Sequence, residues 1–204
     1  LLSIDYAALL AGVDWVFHQA AQAGVRASWG TYFSSYCDNN ILATQKLLEA
    51  AKQHSQIQKI VYASSSSIYG NAETFPTGED IVPQPVSPYG VTKLAAEHLM
   101  SLYAVEFGVP TVSLRYFTVY GPRQRPDMAF NRFSRAALTG QELTLFGDGK
   151  QSRDFTFISD IVEANILAAI HGEPGQVFNI GGGTQATVNS VLDIIRSQVG
   201  QFKI

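Results

Sequence analysis

A phenol and an ammonium stand four residues apart in Tyr89-Gly-Val-Thr-Lys93, downstream of the serine run Ser64-Ser65-Ser66-Ser67. Residues at that spacing share one face of a helix. The start of the helix is legible locally. Ser87 can cap it, and Pro88 suits the first helical position, where its missing N–H would have had no partner. Tyr89 then falls in the first turn, where the helix dipole favours negative charge. A free tyrosine has a pKa of about 10, and a nearby cation lowers it by roughly 1–3 units. A phenolate base could therefore form near neutral pH, with the Ser65 hydroxyl as its hydrogen-bond partner. That chemistry suits removal of a proton from a sugar or alcohol hydroxyl while a hydride leaves the same carbon. Taken alone, the spacing also fits an ordinary surface helix, so the context has to decide.

The elements around the motif supply that context. Lys59-Ile-Val-Tyr-Ala63 is a short apolar run ending in the serines, as a buried parallel strand would be, and Thr111 to Phe117 is a second such run after the helix. Strand, loop, helix, strand is the order of a βαβ unit, whose strand carboxyl ends face the ligand crevice. Along the rest of the chain, strands are expected at 13–18, 143–146, 155–157 and 177–180. Helices are expected at 31–53, 88–107, 129–138, 160–170 and 188–199. This alternation predicts an α/β fold, a doubly wound parallel sheet with helices on both faces.

Composition excludes several classes. A net charge of −3 over 204 residues, with no basic block, gives no electrostatic case for nucleic acid. The single cysteine, Cys37, cannot form an internal disulfide and reads as a buried space-filling thiol. His18 lies within a strand run and reads as a hydrogen-bonded core residue. His54, His98 and His171 show no ligand spacing, so no metal is expected. No apolar run approaches the ~18 residues of a membrane span and no signal peptide is visible, so a cytoplasmic location is expected. Trp15 and Trp29 read as packing residues, and Asp160 as a helix cap.

Several blocks together resemble the extended short-chain dehydrogenases/reductases, specifically the NAD-dependent nucleotide-sugar epimerases and dehydratases. They are Val16-Phe-His-Gln-Ala-Ala21, Ser64-Ser-Ser-Ser-Ile-Tyr-Gly70, Ser87-Pro-Tyr-Gly-Val-Thr-Lys93, Leu114-Arg-Tyr-Phe-Thr-Val-Tyr-Gly-Pro122, Phe146-Gly-Asp-Gly149, Arg153-Asp-Phe-Thr156 and Phe178-Asn-Ile-Gly-Gly182. The resemblance implies a Rossmann-like sheet, NAD as cofactor, a UDP-sugar as substrate and a homodimer packed through residues 31–53 and 88–107. It makes Ser65, Ser66, Tyr89 and Lys93 the catalytic group. Ala20, Ala21, Asn39, Tyr116 and Phe117, with Tyr89 and Lys93, then lie against the cofactor.

On the substrate side the resemblance implies Ser67, Thr118, Arg125 and Arg153, the last on the nucleotide diphosphate rather than in a salt bridge to Asp154 or Asp160. Arg26 reads equally as a sugar contact or a solvated residue. Arg123, Arg125 and Arg132 form a local basic patch that reads as anion-binding. Such a family should open on a Gly-x-x-Gly-x-x-Gly turn, which this sequence does not contain. The chain therefore reads as lacking that N-terminal part and as stopping before the end of the substrate lobe. Gly181-Gly182-Gly183 reads as a turn after a strand, or as the nucleotide end of the substrate site. Residues 1–122 with 152–172 are expected to form a partial NAD-binding domain, and 123–151 with 173–204 a substrate lobe.

Two positions separate the reactions of the family. Dehydratases that remove water from a 4-keto sugar carry an Asp-Glu pair where this chain has Ser66 and Ser67 before Tyr69, and serines cannot serve as that acid and base at neutral pH. Epimerisation at C4 needs only the tyrosine base and a hydride acceptor. Thr118, followed by Val-Tyr-Gly-Pro-Arg-Gln-Arg-Pro-Asp-Met-Ala, resembles the UDP-glucuronate 4-epimerases. A hexuronic acid oxidised at C4 is a β-keto acid prone to lose carbon dioxide, and a hydroxyl with a guanidinium, Thr118 and Arg125, could hold its carboxylate in place. A 4-epimerase acting on UDP-glucose or UDP-N-acetylglucosamine, and a non-catalytic binding protein of the same fold, are the competing readings.

Overall fold

The computed structural model describes residues 1–71, 74–145 and 147–203, and the chain divides into two compact units. The first comprises residues 1–116 and 163–180. Its centre is a four-stranded, wholly parallel sheet of β1 (Trp15–His18), β2 (Lys59–Ser65), β3 (Thr111–Tyr116) and a later strand, Val177–Ile180, in that spatial order. Alternation across β2 shows why both faces are covered. Ile60 and Tyr62 pack with Leu47, Leu48, Ala96 and Met100, whereas Val61 points the other way, against Val112, Ala168 and Ala169. The first face carries α1 (Tyr6–Leu10), α3 (Ala43–Ala51) and α4 (Pro88–Phe107). Between α1 and α3 lies the single turn α2 (Phe33–Tyr36).

The helix expected over 31–53 is not continuous. A 3-10 turn precedes α2, and Cys37–Leu42 forms a π-helical segment before α3. Single π turns of this kind interrupt a helix where a side chain must be re-aimed. Here the re-aimed residue is Asn40, 1% exposed. α4 runs over its expected bounds. Ser87 Oγ accepts the Gly90 N–H at 3.1 Å, Pro88 occupies the first turn, and Gly108 ends the helix in the left-handed region at φ 67°.

The second unit comprises residues 117–162 and 181–204. Three short strands, β4 (Thr118–Tyr120), β5 (Ser152–Phe157) and β7 (Gln185–Thr187), form a sheet with β5 in the middle, parallel to β4 and antiparallel to β7. α5 (Ala129–Thr139) and α7 (Val188–Val199) close a small core of Phe133, Ala136, Leu143, Val188, Val191 and Leu192. α6 (Ile158–His171) begins in this unit, and its residues from Glu163 onward belong to the first; Val177–Ile180 is β6.

The unit boundaries differ from those expected. Residues 177–180 belong with the parallel sheet because β6 pairs with β3, and 117–122 and 152–162 fall in the second unit because β4 pairs with β5. α1, β4 and β7 were not legible as elements; each is only three to five residues long. Residues 143–145 form no strand, and Phe146 lies outside the described residues. Trp15 and Trp29 are 42% and 60% exposed, so neither is a packing residue within this chain. Asp160 stands in the first turn of α6 rather than at its cap, where it still complements the helix dipole. Among the described residues no helix is long and apolar enough to cross a membrane.

Candidate active site

Because the four strands of the first unit are parallel, their carboxyl ends lie along one edge, and most of the predicted residues of this unit gather there. β2 ends at Ser65, 8% exposed, whose Oγ accepts the Ser67 N–H at 3.1 Å and so starts the 3-10 turn Ser66–Ile68. The Ser65 proton has no acceptor among the described residues. Tyr89 and Lys93 rise from the first turns of α4. Gly90 lets this turn meet the serine loop closely: a Cβ there would stand 2.5 Å from the Ser67 carbonyl oxygen and 3.0 Å from Pro85 Cβ.

Lys93 is 3% exposed, with Nζ 4.3 Å from the centre of the Tyr62 ring. Burial pulls its ammonium down to about 7, and the Glu97 carboxylate one turn further along draws it part of the way back. The Tyr62 phenol is pushed well above its ordinary range by burial and by the neighbouring Tyr89 and Glu97. Tyr89 itself is half-buried, its ring edge-on to Tyr36 at 6.3 Å.

Ala20 and Ala21 lie in the loop after β1, Ala20 exposed and Ala21 half-buried. Asn39 turns back into its own helix, donating to the Ser35 carbonyl at 2.8 Å. The adjacent Asn40 holds the β1 loop instead. It accepts the Gln22 N–H at 2.7 Å and donates to Gln22 O at 3.1 Å and to Thr92 Oγ1 at 3.0 Å. Thr92 Oγ1 in turn donates to Tyr89 O, tying the loop to the helix turn that carries the phenol. His18 is the hydrogen-bonded core residue expected. Since Thr44 Oγ1 gives its proton to Asn40 O, the 2.8 Å contact has His18 Nε2 donating to Thr44. Burial, with Lys93 nearby, lowers the imidazole to about 4.

Tyr116, at the end of β3, is fixed by Asn165 Nδ2 at 2.7 Å and Gln19 Nε2 at 3.2 Å. Asn40, Asn165 and Gln19 were missed in the sequence because their partners lie 18 to 146 residues away. Cys37 is half-buried in the π segment, and the described residues contain no cluster suited to a metal.

The remaining predicted residues belong to the second unit. Phe117 and Thr118 are half-buried, and Thr118 pairs with Phe155. Arg125 is exposed and forks onto Asp127, Nε to Oδ1 at 3.1 Å and Nη2 to Oδ2 at 2.8 Å. Arg153 is exposed and donates to Ser152 O at 2.7 Å, with no salt bridge to Asp154 or Asp160. Asp154 instead accepts the Gly182 N–H at 2.5 Å, and a Cβ at Gly182 would stand 2.2 Å from Phe155 O, so the glycine cluster brings the chain tightly past β5. A cavity of about 550 Å³ in this unit is lined by Tyr120, Arg123, Phe130, Asn131, Ser134 and Arg135. Thr118, Arg125 and Arg153 are not part of it.

The sequence model of the NAD dependent epimerase/dehydratase family matches residues 3–181. The chain belongs to this family. It is 51% identical over 204 residues to the uncharacterized UDP-glucose epimerase YtcB of Bacillus subtilis, covering 98% of this chain and 63% of that protein. It is 41% identical over 191 residues to the UDP-glucuronate 4-epimerase of Thermodesulfobacterium geofontis, covering 93% of this chain and 58% of the relative. The solved UDP-glucuronic acid 4-epimerase of Bacillus cereus, in complex with UDP-glucuronic acid and NAD, superposes with a TM-score of 0.93 at 47% identity, over 99% of this chain and 64% of that one. The chain thus spans less than two thirds of the length of each.

The NAD that the family uses fits the first unit on one observation: Lys93 Nζ, beside the Tyr62 ring, makes no hydrogen bond to the described residues, so its donors are open to a ligand. A hydroxyl of the cofactor would give that ammonium an acceptor. Tyr89 and Lys93 are the residues that would hold it.

Proposed function

We propose that the natural protein carrying this chain is an NAD-dependent 4-epimerase of UDP-sugars, and that UDP-glucuronate is its sugar. The observation that carries the reading is Tyr89 one helical turn from a buried Lys93, on a turn that Gly90 presses against the serine loop. Tyr89 takes the proton of the C4 hydroxyl as the C4–H bond breaks, and the Lys93 cation offsets the negative charge of the phenolate. Ser65 donates its free proton to the substrate oxygen. NAD, when bound, would supply the hydride acceptor for oxidation at C4 and the donor for reduction of the 4-keto sugar. Tyr89 then gives its proton back, so neither protons nor electrons are consumed. Ser66 and Ser67 occupy the places where a dehydratase needs an acid and a base, which supports epimerisation over elimination.

In the second unit, Thr118 and Arg125 hold the C5 carboxylate. The Arg125–Asp127 fork is a surface pair worth about 0–1 kcal/mol, so a substrate carboxylate can displace Asp127 at small cost. The competing sugar, UDP-glucose, is favoured by the likeness to YtcB and by the fact that Arg125 already has an anionic partner. The natural protein also pairs with a second copy through residues 31–53 and 88–107. The apolar residues α4 turns outward, Val91 at 46%, Leu102 at 51% and Val105 at 78% exposed, support this.

Initial rates on UDP-glucuronate and UDP-glucose decide between the sugars. The reading requires faster turnover of UDP-glucuronate and loss of that preference in Arg125→Ala, since losing a charge-assisted hydrogen bond costs about 1.5–3 kcal/mol. Faster turnover of UDP-glucose by the unmodified protein refutes the carboxylate clamp and leaves the epimerase reading standing.

A further inference from the structure

Beneath the Tyr89 and Lys93 turns lies a buried ion pair that the mechanism above does not use. Glu97 and Arg115 are 3% and 5% exposed. Arg115 Nη2 donates to Glu97 Oε1 at 2.7 Å, and its Nε lies 3.2 Å from both carboxylate oxygens. The remaining contacts run into the loops at the strand ends. Ser64, next to Ser65, donates its hydroxyl to Glu97 Oε2 at 2.5 Å. Arg115 Nη1 donates to Tyr69 Oη at 2.5 Å and to Glu79 O at 3.0 Å. Tyr69 passes its own proton to Asn179 Oδ1 at 2.8 Å.

One pair thus joins the ends of β2, β3 and β6 to α4. A buried ion pair is seldom retained for stability, because apolar residues of the same volume commonly stabilise a fold as well or better. Its placement suggests another reason. Glu97 follows Lys93 by four residues as Lys93 follows Tyr89, so the three share one helix face.

We propose that Glu97, held by Arg115, is a positioning residue for the Tyr89–Lys93 pair: its carboxylate keeps the Lys93 ammonium charged from one turn below. The groups facing Lys93 support this. Tyr62 of β2 and His18 of β1 are held neutral at pH 7 by burial, the one well above its ordinary range and the other at about 4. In the π segment and the serine loop, Asn40, Ser66 and Ser67 carry no charge, and Asp38, the acid of the π segment, is exposed. That leaves Tyr89 and Glu97 on its own helix and, beyond Glu97, Arg115 of β3. Glu97 opposes the burial that lowers the Lys93 ammonium. Calling Tyr89 and Lys93 the acid–base pair rests on the function proposed above, whereas the electrostatic dependence of Lys93 on Glu97 does not.

The test is a direct titration that needs neither substrate nor turnover. The natural protein, labelled with ¹³Cε-lysine, is followed by NMR against pH, with Lys93→Met identifying the Lys93 signal. Glu97→Gln keeps the volume and an acceptor for Ser64 and Arg115 but removes the charge, so the Lys93 midpoint should fall by about 1 unit or more. Arg115→Gln should move it the other way, because Glu97 is then no longer neutralised by the guanidinium. Ser64→Ala removes a hydrogen bond without changing a charge and should leave the midpoint in place. Structural loosening alone would not produce shifts of opposite sign. An unchanged midpoint in Glu97→Gln, or an equal fall in Ser64→Ala, overturns the proposal and leaves Glu97 as a brace. If Glu97→Gln loses the native circular dichroism spectrum, Arg115→Gln decides: an upward shift supports the proposal, and no shift or a downward one overturns it.

Discussion

Gly90→Ala is the smallest change that tests whether the serine loop and the Tyr89 turn must fit closely. The added methyl carbon would lie 2.5 Å from Ser67 O, 3.3 Å from Ser67 C and 3.0 Å from Pro85 Cβ. A carbon–oxygen contact relaxes at about 3.3–3.6 Å, so loop and helix must separate by roughly 1 Å. Two effects compete. Alanine in place of glycine favours the helix by about 1 kcal/mol, and overpacking against backbone costs about 1–3 kcal/mol. The second wins narrowly, and the fold should lose no more than about 2 kcal/mol.

Activity should suffer far more, since a misplacement of about 1 Å between reacting groups can cost about 10²-fold. The assay is kcat of the natural protein on a UDP-sugar beside its thermal midpoint. A fall of about 10²-fold with a nearly intact midpoint is expected. A stabilised variant with unchanged kcat would show that the loop has slack and that Gly90 does not set the geometry.

Lys93→Met should abolish turnover yet stabilise the protein free of cofactor. The Lys93 ammonium is lowered from its ordinary 10.5 to about 7, so its contribution to stability is full only above about 10.5 and is lost as pH falls toward 7. Removing the charge recovers up to about 4 kcal/mol near neutrality, read by chemical denaturation at pH 7. A destabilised Lys93→Met protein would mean that the ammonium has an acceptor. His18 makes a separate prediction at acid pH. Its imidazole is lowered from 6.5 to about 4, so it contributes stability above 6.5 that is lost as pH falls through this window, about 3 kcal/mol in all. His18→Gln should flatten the pH dependence between 6.5 and 4, and an unchanged slope would reassign it to other groups.

What could be read from the sequence and what could not divide along physical lines. α4 was legible to the residue because its signals are local: a serine cap, a proline in the first turn and a glycine after the last. The central strands β2 and β3 were legible as short apolar runs, since both of their faces are buried. Short edge elements such as β4 and β7 carry too few residues for any periodicity. The π segment was invisible because it comes from a tertiary demand, Asn40 reaching Gln22 and Thr92 across the fold.

The chemistry divided in the same way. Ser65, Tyr89 and Lys93 form a local pattern, whereas Glu97 and Arg115 lie 18 residues apart in separate elements and meet only in the fold. Asn39 and Asn40 are neighbours with the same side chain, and only the backbone geometry of the π segment tells which one faces the β1 loop.

The fate of the hydrogen on C4 distinguishes epimerisation through a retained hydride from every other outcome. The natural protein is incubated with UDP-glucuronate and UDP-glucose, both carrying deuterium at C4, and the sugars are followed by NMR. The account predicts inversion at C4 of one of them, UDP-glucuronate first, with deuterium retained on the inverted carbon because the hydride never leaves the site. Tyr89→Phe should slow this by roughly 10²–10⁴-fold. Loss of the label to water, or no inversion of either sugar, would contradict the account.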